Sequence, residues 1–585
     1  MFLKFEALLY LISTIFLIYE VFWLKKSKDR LNPISSFFVC LYVLLMVQAF
    51  LAGICNFIHI PIRLLSLAVI NIIIGVLIHS ITQMKEKQEY ASVARIDIFS
   101  LICNVLITGV VAYVFFGACL EVTFVSVDGS AHYSMAKNIL INHSLGTNMY
   151  FEALNDAILM MIVRAFISAE VAVVKAFVFS QVASFFIGIH AFYLLCRSYF
   201  DDWKEGVVAE IFAAFYALGY YLYAVIYGFA YFAQVMNIII CIMILVKLYS
   251  DKKINRIPAY MALNLALFSL FVCYSFFVPV VFFAVFIALS ILMREETNRF
   301  ISLTWVKEQI SVFLCPSIFG LLYSFSNVKE LGSGGGITNE GGCYFDLYSN
   351  FLIFLPLIIA GLLIVWKKKK SDITIIMAGM ASLYWCVLMI MNLKDRASLY
   401  YVSKDYNLLW ILGCFFACVM TWEIRKKNKQ LLIGAVFTIF VMGILLHTPI
   451  QQKIIDDNPG YVTIYGDVTS VVPHIYWFNK IQINAYHYLP DAKIDFFEYV
   501  RDNFSSGEGN IFIIGNTFDS AWFPAIAGDC VAADIRMTDL EGYLTEDIDY
   551  VVGTNIEEMN SFLSNNGDDF ELVYQCKEGY VLAVK

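Results

Sequence analysis

The sequence predicts a polytopic α-helical membrane protein of about 14 transmembrane helices with a small C-terminal extracytoplasmic α/β domain. Three observations carry that expectation. The 585 residues are 60% hydrophobic with a mean hydropathy of +0.73, whereas a soluble globular chain is nearer half apolar. The apolar residues gather in runs, such as 34–57 and 64–81, that are long enough to cross a hydrocarbon core of roughly 30 Å as a helix. The charge is also divided. Residues 448–585 hold 7 Lys+Arg against 22 Asp+Glu, a net of −15, and the remainder holds 33 against 26, a net of +7.

Taken in order, the spans are expected at 5–24, 34–57, 64–82, 96–120, 171–195, 206–226, 229–247, 257–273, 276–293, 309–325, 351–366, 373–391, 408–422 and 431–447. The first lacks a basic leader and a small-residue cleavage site, so it reads as a retained span and not a signal peptide. The stretches 206–247 and 257–293 are too long for one helix and are expected to fold back near Tyr227-Gly228 and Tyr274-Ser275. Orientation follows from the basic residues. One set of loops, including 25–30, 247–256, 367–370 and 425–429, holds 24 Lys+Arg, against 8 in the alternate set. The rich set is therefore expected in the cytoplasm. That places the segments 121–170, 327–350 and 392–407, with the tail, on the outer side of a multi-pass cell (plasma) membrane protein.

Beyond residue 447 the pattern changes to short elements: helix 491–503, strand 510–515, helix 520–527, strands 530–533 and 550–553, helix 556–563, and strands 570–575 and 580–584. Such alternation implies a small α/β layer domain. Its acidity keeps it soluble and argues against a nucleic-acid partner. No Gly-x-Gly-x-x-Gly and no nucleophile elbow occurs in it, so no chemistry is expected there. The cysteines are mostly single within apolar runs, with no zinc spacing.

Two outer segments carry polar novelty. Asp128-Gly129-Ser130 reads as a helix start, after which Ala131, Met135, Ile139 and Leu140 recur at helical spacing. This describes an amphipathic helix on the membrane surface. An Asp at a helix start is more often a cap than a catalyst, and His132 one turn on is more often a packing residue than a ligand. In the second segment, Lys394, Arg396 and Lys404 are three of the eight outer basic residues, interleaved with Tyr400 and Tyr401. Cations and phenols can hold a phosphate, or they can anchor helix ends at the interface. The Gly-rich stretch 331–344 lacks the Lys-Ser/Thr ending of a P-loop and reads as a flap.

The succession of a span end, Asp128, His132/Tyr133, an amphipathic helix and Gly146 resembles the first outer loop of GT-C glycosyltransferases. These membrane enzymes include oligosaccharyltransferases, protein mannosyltransferases and lipid A aminoarabinose transferases. Residues 150–169, leading into 171–181, resemble their second surface helix and the following span, so the match covers about residues 96–300 of the chain. Tyr400-Tyr401-x-x-Lys404 is similar to the lipid-phosphate region of bacterial members.

The resemblance implies a GT-C-like fold and a sugar donor on a polyprenyl phosphate or pyrophosphate. It also implies an extracytoplasmic acceptor hydroxyl and transfer with inversion. Asp128 is then the candidate base, with Glu121 behind it. His132, Tyr133, Glu152 and Asp156 are the candidate substrate contacts. Lys404, Arg396, Lys394, Tyr401 and Tyr400 are the candidate contacts to the donor phosphate.

Two departures stand out. Three extra spans precede the loop, and Gly129 occupies the position where some members carry a second acidic residue. No metal ligand is assigned for that reason, and a divalent metal stays open as a cofactor. The chain divides into N-terminal helices 1–95, a GT-C-like module 96–447 and the outer domain 448–585. The alternatives are a transporter or flippase, which would ordinarily show two related halves, and a polysaccharide polymerase or ligase acting on lipid-linked glycans.

Overall fold

The computed structural model describes residues 2–24, 53, 55, 58–82, 95–124, 127–145, 153–200, 203–217, 221–228, 230–252, 254–297, 302–328, 337–338, 346–427, 487–505, 507, 509–528, 530–531, 548–567 and 569–585. The expected span 431–447, most of the span 34–57 and of the loop 327–350, and the candidate residues Gly146 and Glu152 lie outside the described residues.

The fifteen described helices of the apolar part are α1 (Phe2–Leu24), α2 (Leu64–Thr82), α3 (Arg95–Phe116), α4 (Asp128–Asn142), α5 (Ala153–Phe166), α6 (Glu170–Arg197), α7 (Trp203–Tyr216), α8 (Leu222–Tyr227), α9 (Ala230–Ser250), α10 (Arg256–Tyr274), α11 (Val278–Thr297), α12 (Leu303–Val328), α13 (Asp346–Lys368), α14 (Ile373–Asn392) and α15 (Leu399–Lys427). Among the described residues, six segments are helical, long and apolar enough to cross a membrane: Phe2–Glu20, Arg95–Phe116, Glu170–Arg197, Ser275–Glu295, Ile373–Asn392 and Leu399–Lys426. Fourteen were expected; α7 and the described lengths of α2, α9 and α10 are shorter apolar helices, and the expected spans 34–57 and 431–447 lie mostly or wholly outside the described residues.

The distribution of polarity is that of a membrane bundle. On α3, Ile98, Phe99, Ile102, Val105 and Leu106 face outward, while Asp97, Ser100, Asn104 and Thr108 are buried. Each of the first three buried groups meets a partner on a neighbouring helix. Tyr193 donates to Asp97 Oδ1 at 2.8 Å, Ser100 donates to Glu210, and Asn104 pairs with His190 at 3.0 Å. A surface that is apolar outside and polar within is stable only where the solvent is lipid. Helices approach closely where a side chain is missing. A Cβ on Gly361 of α13 would overlap the Phe416 carbonyl oxygen of α15, the small-residue contact by which membrane helices pack.

The two expected reversals occur, with different chemistry. Gly228 ends α8 in the left-handed region at φ 78°, a conformation that glycine adopts without steric cost. The α10–α11 stretch turns through a single 3₁₀ turn, Ser275–Phe277. The stretch expected as one span at 206–226 is divided into α7 and α8. The outer loop expected at 392–407 is corrected to a turn at 393–398, because α15 begins at Leu399. Nothing from Leu399 to Asn407 breaks a helix, since neither Gly nor Pro occurs there.

The tail forms β2 (His487–Leu489), α16 (Asp491–Phe504), β3 (Ile511–Ile514), α17 (Thr517–Ala527), β4 (Tyr550–Gly553), α18 (Ile556–Asn566), β5 (Phe570–Cys576) and β6 (Gly579–Val584). A four-stranded sheet runs β3-β4-β6-β5, with β3 and β4 parallel and the other pairs antiparallel. Of the expected strand at 530–533, Val531 forms a bridge to Ile511, and residues 532 and 533 lie outside the described residues. Asn516 caps α17 by accepting from the Phe518 and Asp519 N–H groups at 3.0 and 2.9 Å, the favoured use of Asn at that position.

The tail domain is docked to the helices through contacts that sequence patterning does not show. The short strand β1 (Val122–Phe124) follows α3 and pairs antiparallel with β2, Val122 opposite Leu489 and Phe124 opposite His487. Phe124 stacks on Trp522 of α17 at 6.0 Å and 8°. Beside this stack, Glu170 at the start of α6 is fully buried. Its Oε1 accepts from the Tyr133 hydroxyl at 2.6 Å and from Lys137 of α4. Its Oε2 faces Arg501 of α16 at 3.4 Å and Arg164 of α5 at 3.8 Å. Lys137 also donates to the Ile526 carbonyl at 2.5 Å, and Lys175 pairs with Asp491 at 2.5 Å.

Removing one partner of a buried ion pair costs about 3–5 kcal/mol. Glu170→Ala, which leaves several cations facing an empty site, is expected to lose stability on that scale and to open the tail domain to limited proteolysis. Unfolding in detergent, with the proteolytic pattern, measures both.

Candidate functional site

The Tyr227-Gly228 reversal, the 3₁₀ turn after Tyr274 and the start of α15 lie at the end of the bundle away from the basic turns, and each contributes to one cluster. The first turn of α4 is placed by close backbone contact. A Cβ on Gly228 would fall 2.5 Å from the Gly129 Cα, and one on Gly129 would fall 3.0 Å from the Phe124 ring. Two glycines and Phe124 thus fix where Asp128 stands. The Asp128 side chain is exposed and occupies the first turn of α4, where the helix dipole favours an ionised carboxylate.

Lys404 of α15 is the cation of the cluster. Its ammonium donates to the Tyr274 hydroxyl at 2.6 Å. It lies 4.1 Å from the Tyr400 ring centroid, 4.8 Å from that of Tyr274 and 5.4 Å from that of Tyr401. Only 8% of the residue is exposed, so the charge is held mainly by aromatic faces. The Asp128 carboxylate acts electrostatically on this ammonium. The enclosure continues through Phe276, whose ring centroid is 5.8 Å from Tyr274, 5.5 Å from Tyr401 and 5.3 Å from Tyr384.

The structure therefore brings Asp128, Lys404, Tyr400 and Tyr401 together. Lys394 and Arg396 stand exposed on the preceding turn and make no ion pair among the described residues. Tyr133, expected at the substrate, is instead fully buried, and its hydroxyl is engaged by Glu170. Burial holds its phenol well above the usual range, and lowers the Lys137 ammonium. His132 is half-buried, and burial holds its imidazole down at about 4, so it is neutral at working pH. Asp156 is buried on α5, and burial pushes its carboxyl up to about 7. The Ser180 hydroxyl of α6, and neither Asp128 nor Lys404, is its partner.

Sequence reading missed Tyr274 and Phe276, although the reversal it expected at Tyr274-Ser275 marked them as residents of the same end. Among the described residues, no group of three His, Cys, Asp or Glu side chains is placed to hold a metal ion. No step of the chemistry is assigned to a metal.

No family model and no curated protein matches the chain. Among solved structures, it is similar to the oligosaccharyltransferase of Archaeoglobus fulgidus in its apo form, at 12% identity and a TM-score of 0.45, over 80% of this chain and 70% of that one. The same enzyme in complex with Zn and sulfate aligns at 12% identity and a TM-score of 0.43, over 83% of this chain and 73% of that one. A likeness at this level assigns no role to any residue, so the roles of Asp128 and Lys404 rest on the chain's own geometry.

Two outcomes are expected. Gly228→Ala adds a methyl group against Gly129 in a left-handed backbone conformation and is expected to cost about 1–3 kcal/mol. It should also displace Asp128, measured as a lower unfolding temperature together with altered cross-linking between positions 128 and 404. The folded-state pKa of Asp156, about 7, lies above its ordinary 3.8, so its protonated form favours the folded state. Its contribution is complete below pH 3.8 and is lost as pH rises through about 7. The difference in stability between wild type and Asp156→Asn, followed from about pH 4 to about pH 8, should trace that loss.

Proposed function

We propose that this chain is a membrane glycosyltransferase of GT-C type. It moves a sugar from a polyprenyl phosphate or pyrophosphate to a hydroxyl of an extracytoplasmic acceptor, with inversion at the anomeric carbon. The observation that carries the reading is that Asp128, an exposed carboxylate at a helix start, stands within electrostatic reach of Lys404, a nearly buried ammonium in an aromatic enclosure. A carboxylate and a cation at one end of an apolar bundle are the two charges that glycosyl transfer from a lipid phosphate requires.

In the proposed step the acceptor oxygen bonds to the anomeric carbon as the bond from that carbon to the phosphate oxygen breaks. The acceptor proton passes to Asp128. The electron pair of the broken bond stays on the phosphate, whose added negative charge Lys404 compensates, with Tyr400 and Tyr401 as hydrogen-bond donors. Lys394 and Arg396, on the exposed turn before α15, are placed to meet a second phosphate or an anionic lipid headgroup. The apolar helices hold the polyprenyl chain in the bilayer, and the α/β domain borders the site through the strand pair β1–β2. The reading locates the site, with residues 121–170 and the tail domain, on the outer side of the cell membrane.

Asp128→Asn keeps the shape of the side chain and removes the proton acceptor. In membranes supplied with polyprenyl-phosphate sugars it is expected to lower transfer by about 10²–10⁴-fold at unchanged protein abundance. Lys404→Met is expected to lower it by about 10²-fold or more. Full transfer by Asp128→Asn would remove that residue from the mechanism.

A further inference from the structure

The residue after Lys404 is Asp405, and the proposed transfer step does not use it. It has no exposed surface, and neither of its carboxylate oxygens has a hydrogen-bond partner among the described residues. No Lys, Arg or His among them forms an ion pair with it either. A buried carboxylate ordinarily costs stability unless it is paired, and no described residue pairs with this one, which leaves its two oxygens open to a ligand.

Its surroundings indicate which chemistry that partner has. Successive helix residues point about 100° apart, so Asp405 is turned from Lys404 toward α14, where its charge acts on Tyr384. Tyr401, one turn earlier on α15, lies on the same face, and Asp405 leans back toward it. Phe276 joins Tyr384 and Tyr401 at ring-centroid distances of 5.3 and 5.5 Å, and the Tyr384 hydroxyl donates to the Phe276 carbonyl at 3.2 Å. An aromatic ring beside a carboxyl group offers an apolar face to C–H groups, and the carboxyl oxygens accept from O–H donors. A metal ion would find too few oxygen ligands there and would be repelled by the neighbouring ammonium. A sugar ring supplies both kinds of group. Tyr401 is half-buried.

We infer that Asp405 binds the sugar of the donor, accepting hydrogen bonds from its ring hydroxyls within the Phe276–Tyr384–Tyr401 enclosure. Lys404, the residue before it, takes the phosphate to which that sugar is attached. Two adjacent residues on one helix thereby divide the donor headgroup between them. The inference rests on the glycosyl-transfer reading and adds to it the residue that senses the sugar.

The test is equilibrium binding to the purified full-length protein in lipid nanodiscs. The probes are a bare polyprenyl phosphate and the same lipid carrying glucose, mannose or galactose. Wild type is expected to bind at least one sugar-bearing lipid roughly tenfold or more tighter than the bare lipid, the scale of charge-assisted hydrogen bonds. Asp405→Leu should abolish that preference while binding the bare lipid as wild type does, and Lys404→Met should weaken both lipids alike.

Because Asp405 has no partner to lose among the described residues, Asp405→Leu is expected to unfold at or above the wild-type temperature. Asp405→Asn, which keeps one acceptor oxygen, should retain part of the preference and provides the same test if the leucine variant does not fold. A preference retained in full by both variants, or equal binding of bare and sugar-bearing lipids by wild type, overturns the inference and leaves glycosyl transfer standing. Failure of wild type to bind any polyprenyl phosphate overturns both.

Discussion

Glu170 opens the α6 helix with no exposed surface and with cations from three other helices around its two oxygens. Lys137 comes from α4, Arg164 from α5 and Arg501 from the tail domain, so one carboxylate ties two short helices and a separate α/β unit to a long membrane helix. A carboxylate at a helix start is already favoured by the dipole. Here Glu170 and Lys137 are buried, so withdrawing either charge strands the other away from water. The geometry of the outer end depends on this knot. The helix whose first turn carries Asp128 is the helix whose third turn carries Lys137.

The candidate site is assembled differently. Lys404 donates one hydrogen bond to Tyr274 and otherwise faces aromatic rings among the described residues. Cation–π contacts hold an ammonium in place without neutralising it. The charge stays available to an anion that arrives in the same space. Asp128 is exposed and set by the Gly129–Gly228 contact rather than by side-chain packing, so its position is fixed while its carboxylate faces outward. Asp128 of the candidate site and Lys137 of the buried knot thus share one short helix, about two and a half turns apart.

The tail domain adds no visible chemical motif, but it is not a pendant. Its strand β2 completes a pair with β1, immediately before Asp128, and Trp522 closes over Phe124 and Tyr133. An acceptor approaching Asp128 would therefore pass beside this domain. That gives the acidic unit a place in shaping what reaches the site.

Several features were determined by the sequence alone. The apolar runs gave most helix positions to within a few residues, α2 and α14 among them, because a lipid-facing helix must be apolar along its whole length. The strands at 550–553 and 580–584 and the helix at 491–504 were legible from local patterning. Asp128 and Lys404 were legible as charges out of place in apolar surroundings. Tertiary structure alone decided that these two meet, that Tyr133 and Lys137 belong to a buried knot with Glu170 and Arg501, that β1 and β2 pair although they lie far apart in the chain, and that Asp405 is left without a partner among the described residues. Hydropathy is a property of each residue and its near neighbours, so the chain states it openly. The compensation of a charge depends on which distant group folding brings beside it, and no local pattern records that.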